Sequence, residues 1–183
     1  MSYIPQDSEI ERFMRESNFI ENERIVANPC DSAFEPWIIG DLHENDIEGA
    51  GFFLANELTI ENLKKTHKIL FKGTGEKWGI QESKWVGVWK PIANMVGNHT
   101  PPPPERIGEI MKEYFAELPN MDAFEAHNEF ANIHPFLDGN GRMARLIWWW
   151  KSLDKESHHE SLTFLHNYYY ETLNHQNSRS KFQ

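Results

Sequence analysis

The segment Ile133-His-Pro-Phe-Leu-Asp-Gly-Asn-Gly-Arg-Met-Ala-Arg145 joins two stretches of helical pattern and decides how the whole chain is interpreted. Pro135 disfavours helical geometry at the residue before it, so the incoming helix should end at His134. Gly139 and Gly141 permit backbone conformations that other residues avoid, and consecutive amides in such a turn form a concave nest of donors. The next helix begins at this nest, where its N-terminal amides and dipole favour an anion. The segment therefore predicts an anion site between two helices.

The side chains of this segment suit a phosphate in particular. Arg142 and Arg145 lie three positions apart on one face of the first helical turn, where an anionic ligand would relieve their conflict with the helix dipole. Asp138 offers a hard carboxylate of the kind that Mg²⁺ uses beside phosphates. His134 can accept a proton near neutral pH. Each residue taken singly is more often structural, but together within twelve positions they indicate a functional site.

Hydrophobic periodicity around the segment predicts helices and little strand. Apolar residues recur at helical spacing over 105–118, directly after a run of four prolines. Further helices are predicted over 8–25, from a Thr59 cap to 71, over 121–133, over 143–153 and from 161 through 173. Residues 85–95 contain short β-friendly pieces that Pro91 restricts to an edge hairpin. We expect a single all-α domain over residues 1–183 with one small hairpin.

Composition narrows the classes of function. The chain has 183 residues, a net charge of −10 and one cysteine, Cys30. Affinity for nucleic acid comes largely from neutralised phosphates, so an acidic chain is a poor duplex binder. No apolar run is long enough to span a membrane, no signal peptide is seen, and a single cysteine fits a reducing compartment. We expect a cytoplasmic protein with no nucleic-acid or membrane partner.

The segment resembles the motif HxFx(D/E)GNGRxxR of the Fic (filamentation-induced-by-cAMP) family. Every fixed position is filled, by His134, Phe136, Asp138, Gly139, Asn140, Gly141, Arg142 and Arg145. The resemblance implies a Fic-type helical bundle with a β-hairpin flap. It also implies transfer of AMP from ATP to a Ser, Thr or Tyr hydroxyl of a target protein, in an enzyme that sometimes forms homodimers.

The resemblance assigns a role to each motif residue over 134–145. It makes His134 the general base toward the target hydroxyl and makes Asp138 the ligand of Mg²⁺. The anion hole for the α-phosphate is Gly139, Asn140 and Gly141, while Arg142 steadies the phosphates and Arg145 orients the γ-phosphate. Outside the motif, the implied adenine contacts are Tyr169, Tyr170 and Asn177, and the implied target-docking residues of a flap over 89–97 are Lys90, Ile92, Asn94 and Val96.

The predicted helix over 8–25 carries a carboxylate in an unexpected place. Ser17 and Glu21 fall in the middle of its apolar stripe and are neighbours on the helix surface. A carboxylate on a buried face needs a cation or a proton, and Arg145 is an attractive partner in this acidic chain. A solvated Glu21 on a broken stripe is the alternative.

The same helix resembles a regulatory element of the family. Ser17-Asn-Phe-Ile-Glu21-Asn22 matches the Fic inhibitory motif (S/T)xxxE(G/N) in its N-terminal, class II arrangement. In that arrangement the glutamate pairs with the second motif arginine, here Arg145, and blocks the productive γ-phosphate pose. The resemblance therefore implies autoinhibition.

Other functions stay open at this point. Within the family they are removal of AMP from targets and transfer of phosphate, phosphocholine or another nucleotide, although the intact GNGR core favours AMP transfer. A non-catalytic nucleotide sensor would need no base, so His134 argues against it. A metal-dependent hydrolase would draw on side chains such as His127, but His127 and His134 lie seven apart and no HExxH spacing exists.

Overall fold

The computed structural model describes residues 5–26, 42–96 and 99–153, with the side chains at positions 19 and 21–26 outside the description. Six α-helices lie in these ranges: α1 Asp7–Val26, α2 Glu44–Ala55, α3 Ile60–Leu70, α4 Pro104–Glu117, α5 Ala123–Ile133 and α6 Asn140–Ser152. Two short 3-10 helices are Glu82–Lys84 and Leu118–Asn120. Over the same ranges no β-strand forms, so the helical fold class is confirmed there.

Three helices begin at residues whose local chemistry favours a helix start, although α5 begins at Ala123, two residues after the predicted start at Met121. The Thr59 hydroxyl accepts from the Asn62 N–H at 3.1 Å and caps α3. The Asp122 carboxylate accepts from the Glu125 N–H at 2.8 Å and caps α5. Pro104 opens α4, at a position where no backbone donor is required.

Two further helices differ more from the prediction. Helix α6 begins at Asn140 and not at Met143, because Gly139 in the left-handed region serves as its N-cap. Helix α2 was not predicted, since its two glycines obscure the helical pattern. One of them, Gly49, is required by packing: a Cβ there would lie 2.6 Å from Leu70 Cδ2 of α3.

The core lies between α5 and α6, which pair most extensively, and the helices packed around them. Helix α4 is tied to α5 by the buried Tyr114 hydroxyl, which donates to the Ala126 carbonyl at 2.8 Å. Helix α1 packs on α6 through Phe13 and Trp149, whose ring centroids lie 4.2 Å apart. The N-terminal helix is therefore part of the core. None of the described helices combines the length and the apolar character that crossing a bilayer requires.

The predicted hairpin flap is not shown. Residues 89–96, its described part, form no paired strands, and the nearest backbone pairing is an isolated bridge between Val96 and His99. The Lys90 N–H instead donates to the Pro135 carbonyl at 2.8 Å. This backbone donor is therefore used by the motif segment, residues 133–145. The predicted helix over 161–173, and Cys30, lie outside the described residues.

Candidate active site

His134 ends α5 in a left-handed conformation. Its φ and ψ are 51° and 59°, and its N–H closes the helix by donating to the Phe130 carbonyl at 3.0 Å. This conformation costs a non-glycine residue about 1 kcal/mol. Pro135 cannot continue the helix, so the chain turns into the glycine segment, as the sequence predicts.

The ring of His134 is arranged to accept a proton at Nε2. Its Nδ1 lies 3.4 Å from the Ala131 carbonyl oxygen. Since a carbonyl only accepts, Nδ1 carries the hydrogen and Nε2 keeps its lone pair. Burial lowers the pKa of His134 to about 4, and the neighbouring Lys90 charge contributes in the same direction. The imidazole is therefore neutral at pH 7.

The glycine segment is held by the side chain of Asn140. Its Oδ1 accepts from the Phe136 N–H and its Nδ2 donates to the Phe136 carbonyl, both at 2.9 Å. Phe136 is fully buried, so the segment is fixed to the core by one ring and one amide. Both polar atoms of the Asn140 side chain are used in this way, so the backbone N–H is the group of Asn140 that could bind an anion.

Only glycine fits at position 139. Gly139 has φ of 77°, and a Cβ would lie 2.1 Å from Phe71 Cζ. The same Phe71 ring lies 4.2 Å below the Arg142 guanidinium, a cation–π distance. The Phe71 ring therefore leaves room only for glycine in the turn, and it also contacts the guanidinium of the first motif arginine.

Asp138 is paired with a cation that the motif does not contain. Its Oδ2 contacts the Lys77 ammonium. Lys77 lies in a tight turn and forms an isolated backbone bridge with Ile80 at the other end of that turn. Burial tends to raise the pKa of Asp138, but the Lys77 hydrogen bond and charge, with the Gly139 N–H and Arg142, hold the pKa below its usual value. The carboxylate is thus ionised, and its side chain is 33% exposed.

This carboxylate suits a hard divalent cation. It already attracts a cation, its oxygen atoms are the donors that Mg²⁺ prefers, and Mg²⁺ commonly takes one or two carboxylates with phosphates and waters supplying the rest. Among the described residues, no group of three or more His, Cys, Asp or Glu side chains is placed to hold a metal ion. Any Mg²⁺ at Asp138 would therefore take ligands from other sources as well, such as phosphate oxygens and waters.

Arg145 is bound by the N-terminal helix. Its Nε donates to the Ser17 hydroxyl at 2.8 Å and its Nη2 to the Ser17 carbonyl at 3.0 Å. The residue is only 1% exposed. The predicted partner Glu21 lies one turn further along α1, and the side chains of Glu21 and Asn22 lie outside the described residues.

Three side chains at the site were missed or given other roles by sequence reasoning. Lys90 was placed on the flap, yet it is 2% exposed and its ammonium donates to Asn94 Oδ1 at 2.8 Å, while the Asn94 amide reaches the Phe136 carbonyl at 3.4 Å. Lys77 lies in a turn, where no hydrophobic periodicity in the sequence marks it as a site residue. His67 falls on the apolar stripe of α3, and the reasoning applied to Glu21 would have found it. The adenine contacts Tyr169, Tyr170 and Asn177 lie outside the described residues.

Comparisons with known proteins agree on one family. A protein adenylyltransferase Fic from Drosophila willistoni is 41% identical over a region that covers 28% of this chain and 12% of that protein. A Fic family protein from Desulfovibrio desulfuricans superposes with a TM-score of 0.56 at 23% identity, covering 92% of this chain and 58% of that one.

A Fic domain containing signaling protein from Bacteroides thetaiotaomicron superposes with a TM-score of 0.59 at 18% identity, covering 97% of this chain and 75% of that one. These structures establish a shared fold, and the chain spans only a small part of the curated relative. The model of the Fic/DOC family matches residues 57–150, which is more than half of the 183 residues. The chain therefore belongs to the Fic/DOC family.

Proposed function

We propose that the chain is a protein adenylyltransferase that moves AMP from ATP to a hydroxyl of a target protein. The observation that carries the proposal is His134, a neutral imidazole with Nε2 as acceptor, placed at the mouth of the glycine turn that opens α6. The name of the matched relative, a protein adenylyltransferase, supports the same activity at the level of the family.

The chemistry needs one proton acceptor and one anion cradle. A target hydroxyl oxygen attacks the α-phosphorus, the bond from that phosphorus to the bridging oxygen breaks, and pyrophosphate leaves. His134 Nε2 takes the hydroxyl proton. The negative charge of the bound polyphosphate raises the pKa of His134 from about 4 toward neutrality, which strengthens the base when substrate is present.

The cradle is the first turn of α6. The first backbone hydrogen bond of this helix runs from the Met143 N–H to the Gly139 carbonyl at 3.1 Å. The N–H groups of Asn140 and Gly141 precede that bond and point out of the helical ladder. Together with the helix dipole and Arg142, they suit the α-phosphate.

Asp138 is the residue that would hold Mg²⁺. When bound there, the ion supplies charge neutralisation to the phosphates. Lys77 contacts the same carboxylate and so competes for it. The two cations share one anionic partner, which makes metal occupancy depend on where Lys77 lies.

We also propose that α1 is a brake on the reaction. A guanidinium that donates to Ser17 through two nitrogens has fewer donors to offer a γ-phosphate, which supports this role. Glu21, one turn beyond Ser17, would add an ionic contact to the same Arg145. Release of α1 would return Arg145 to the nucleotide.

Target docking and adenine binding complete the proposal. Residues 89–97 would form an added strand with the target backbone, a mode that needs an extended partner and little side-chain specificity. Ile92 and Met95 are 45% and 73% exposed there, so apolar contact accompanies the backbone pairing. Tyr169, Tyr170 and Asn177 would line the adenine pocket, and a homodimer is compatible with this use of the site.

The test compares ATP labelled at the α-phosphate with ATP labelled at the γ-phosphate, in the presence of Mg²⁺ and a lysate as target. The unchanged protein, Glu21→Gly and His134→Ala are run side by side. We expect protein-bound α-label that rises in Glu21→Gly and disappears in His134→Ala. Protein-bound γ-label alone would mean phosphate transfer and would overturn the proposal.

A further inference from the structure

His67 is a fully buried histidine on α3 that uses both ring nitrogens. Its Nδ1 accepts from the Gly87 N–H at 2.9 Å, and its Nε2 lies 3.0 Å from the Asp138 carbonyl oxygen. Because Nδ1 accepts, the hydrogen sits on Nε2 and is donated to that carbonyl. One ring therefore joins α3, the segment before the flap and the motif segment.

The ring is held in place by aromatic neighbours. It stacks on Phe71 and Phe136 at centroid distances of 4.6 Å and 3.9 Å, and it meets the edge of Trp85 at 6.1 Å. Phe71 is the ring that sets Gly139 and Arg142, and Phe136 is the ring that fixes the motif segment. The orientation of His67 is thus determined by the same side chains that shape the site.

The hydrogen bond from His67 controls a peptide plane at the centre of the site. The carbonyl of Asp138 and the N–H of Gly139 belong to one rigid planar unit and point in opposite directions. Holding the carbonyl on His67 directs the Gly139 N–H to the other side of this peptide, toward the Asp138 carboxylate, whose pKa it helps to lower. This N–H directly precedes the Asn140 and Gly141 N–H groups that open α6.

A second bond makes the arrangement a coupling between segments. Gly87, with φ of 74°, lies against α3, where a Cβ would lie 2.9 Å from Lys68 Cβ. Its N–H reaches His67, and three residues later the Lys90 N–H reaches the Pro135 carbonyl. The segment that leads into the predicted flap is therefore linked to the motif segment directly, through Lys90 and Pro135, and indirectly, through Gly87, His67 and Asp138.

We propose that His67 is a positioning residue for AMP transfer. It orients the Asp138–Gly139 peptide and so the start of α6, whose Asn140 and Gly141 N–H groups would receive the α-phosphate. The effect of His67 on AMP transfer rests on the proposed function, whereas its role in orienting the Asp138–Gly139 peptide does not. The residue touches neither phosphate nor target, and acts through the motif segment.

Two conservative variants separate the two hydrogen bonds. The His67→Gln amide places a donor near the position of Nε2 and retains the bond to the Asp138 carbonyl. The His67→Asn amide places an acceptor near the position of Nδ1 and retains only the bond to Gly87. Thr66→Val, on the same helix, is the matched control, because it removes a buried hydroxyl whose bond to the Asn62 carbonyl lies within α3.

The readouts are kcat and KM for ATP in α-label transfer, and amide hydrogen exchange over residues 136–142. We expect His67→Asn to lower kcat roughly tenfold or more with little change in KM, and to speed exchange in that segment. His67→Gln and Thr66→Val should retain most of kcat and the exchange protection. Equal losses in all three variants, or none in His67→Asn, would overturn the proposal.

A third measurement needs no variant and no activity. Nitrogen NMR of the unchanged protein reports the tautomer of His67, which must be protonated at Nε2; protonation at Nδ1 would reject the bond to Asp138. If the protein transfers no label, the proposed function fails alone, because exchange and tautomer still decide the role of His67 in ordering the segment.

Discussion

Arg145 on α6 donates two hydrogen bonds to Ser17 on α1, across 128 positions of the chain. Asn18, the next residue of α1, donates to the buried Asp46 carboxylate of α2 at 2.8 Å. The N-terminal helix is therefore fastened on two sides, once to the motif arginine and once to the neighbouring helix. A change that loosens α1 should act first on the orientation of Arg145.

The substitution Ser17→Ala should raise AMP transfer. It removes the hydroxyl acceptor of Arg145 and leaves the carbonyl acceptor, so the loss is that of one buried hydrogen bond to a charged group. A hydrogen bond to a charged group contributes about 1.5 to 3 kcal/mol, so the gain in kcat/KM is expected to reach roughly ten- to a hundredfold at most. Initial rates of α-label incorporation at limiting ATP measure it.

The matched control for this prediction is Ser152→Ala. It removes a buried hydroxyl on α6 that donates to the Trp148 carbonyl at 2.8 Å, away from the motif. Its rate should equal that of the unchanged protein. An unchanged or reduced rate in Ser17→Ala, at matched folding, would count against α1 as a brake.

Substitution of His134 should separate activity from stability. Both His134→Ala and His134→Asn remove the proton acceptor and should abolish transfer. Asn tolerates the left-handed conformation at this position better than Ala does, so His134→Asn should be more stable than His134→Ala by up to about 1 kcal/mol. Urea midpoints of the two variants give the difference, and residual transfer by either one would remove His134 from the base role.

The elements that sequence predicted best are those controlled by local chemistry. The cap at Thr59, the proline start of α4 and the end of α5 before Pro135 all depend on neighbouring residues, and the structure confirms each of them. The motif segment was predicted for the same reason, because its glycines and charged residues are contiguous. Local rules therefore located the turn between α5 and α6 around which the candidate site is proposed.

What sequence could not predict depends on contacts between distant segments. Gly49 lowers the intrinsic helical propensity of α2, but it allows α2 to pack closely against Leu70 of α3. Lys77 reaches Asp138 across 61 positions and His67 reaches it across 71. Neither partner has a motif of its own. The apolar stripe of α3 can mark His67 as a buried polar residue, but only the folded structure shows that its partner is Asp138.

Buried histidines should make the fold sensitive to mild acid. Burial lowers the pKa of His67 to about 4 and the pKa of His127 to about 3, and both rings are fully buried. The unfolded chain binds these protons near pH 6.5, so it takes up more protons than the folded chain below that value. The free energy of unfolding should therefore be highest above about pH 6.5 and should decrease steadily as the pH is lowered toward 4.

The size of this effect is on the order of 3 kcal/mol for a ring whose pKa falls by more than two units. Urea denaturation at pH 7, 6 and 5 measures it, in a range where most carboxylates stay ionised. His127→Gln should reduce the slope between pH 7 and 5 relative to the unchanged protein. A slope that is flat in both proteins would show that the rings do not titrate on unfolding.

Replacing Lys77 should lower the Mg²⁺ concentration that ATP binding requires. The substitution Lys77→Met removes the ammonium that contacts Asp138 and keeps most of the side-chain volume, so a divalent cation no longer competes with it. Both side chains are about one third exposed, which keeps the gain small: we expect the Mg²⁺ concentration for half-maximal ATP binding to fall about two- to fivefold. Lys65→Met is the control, because the Lys65 ammonium lies over the Phe52 ring, 4.4 Å from its centroid. A higher Mg²⁺ requirement in Lys77→Met would instead mean that Lys77 assists phosphate binding and does not compete for the carboxylate.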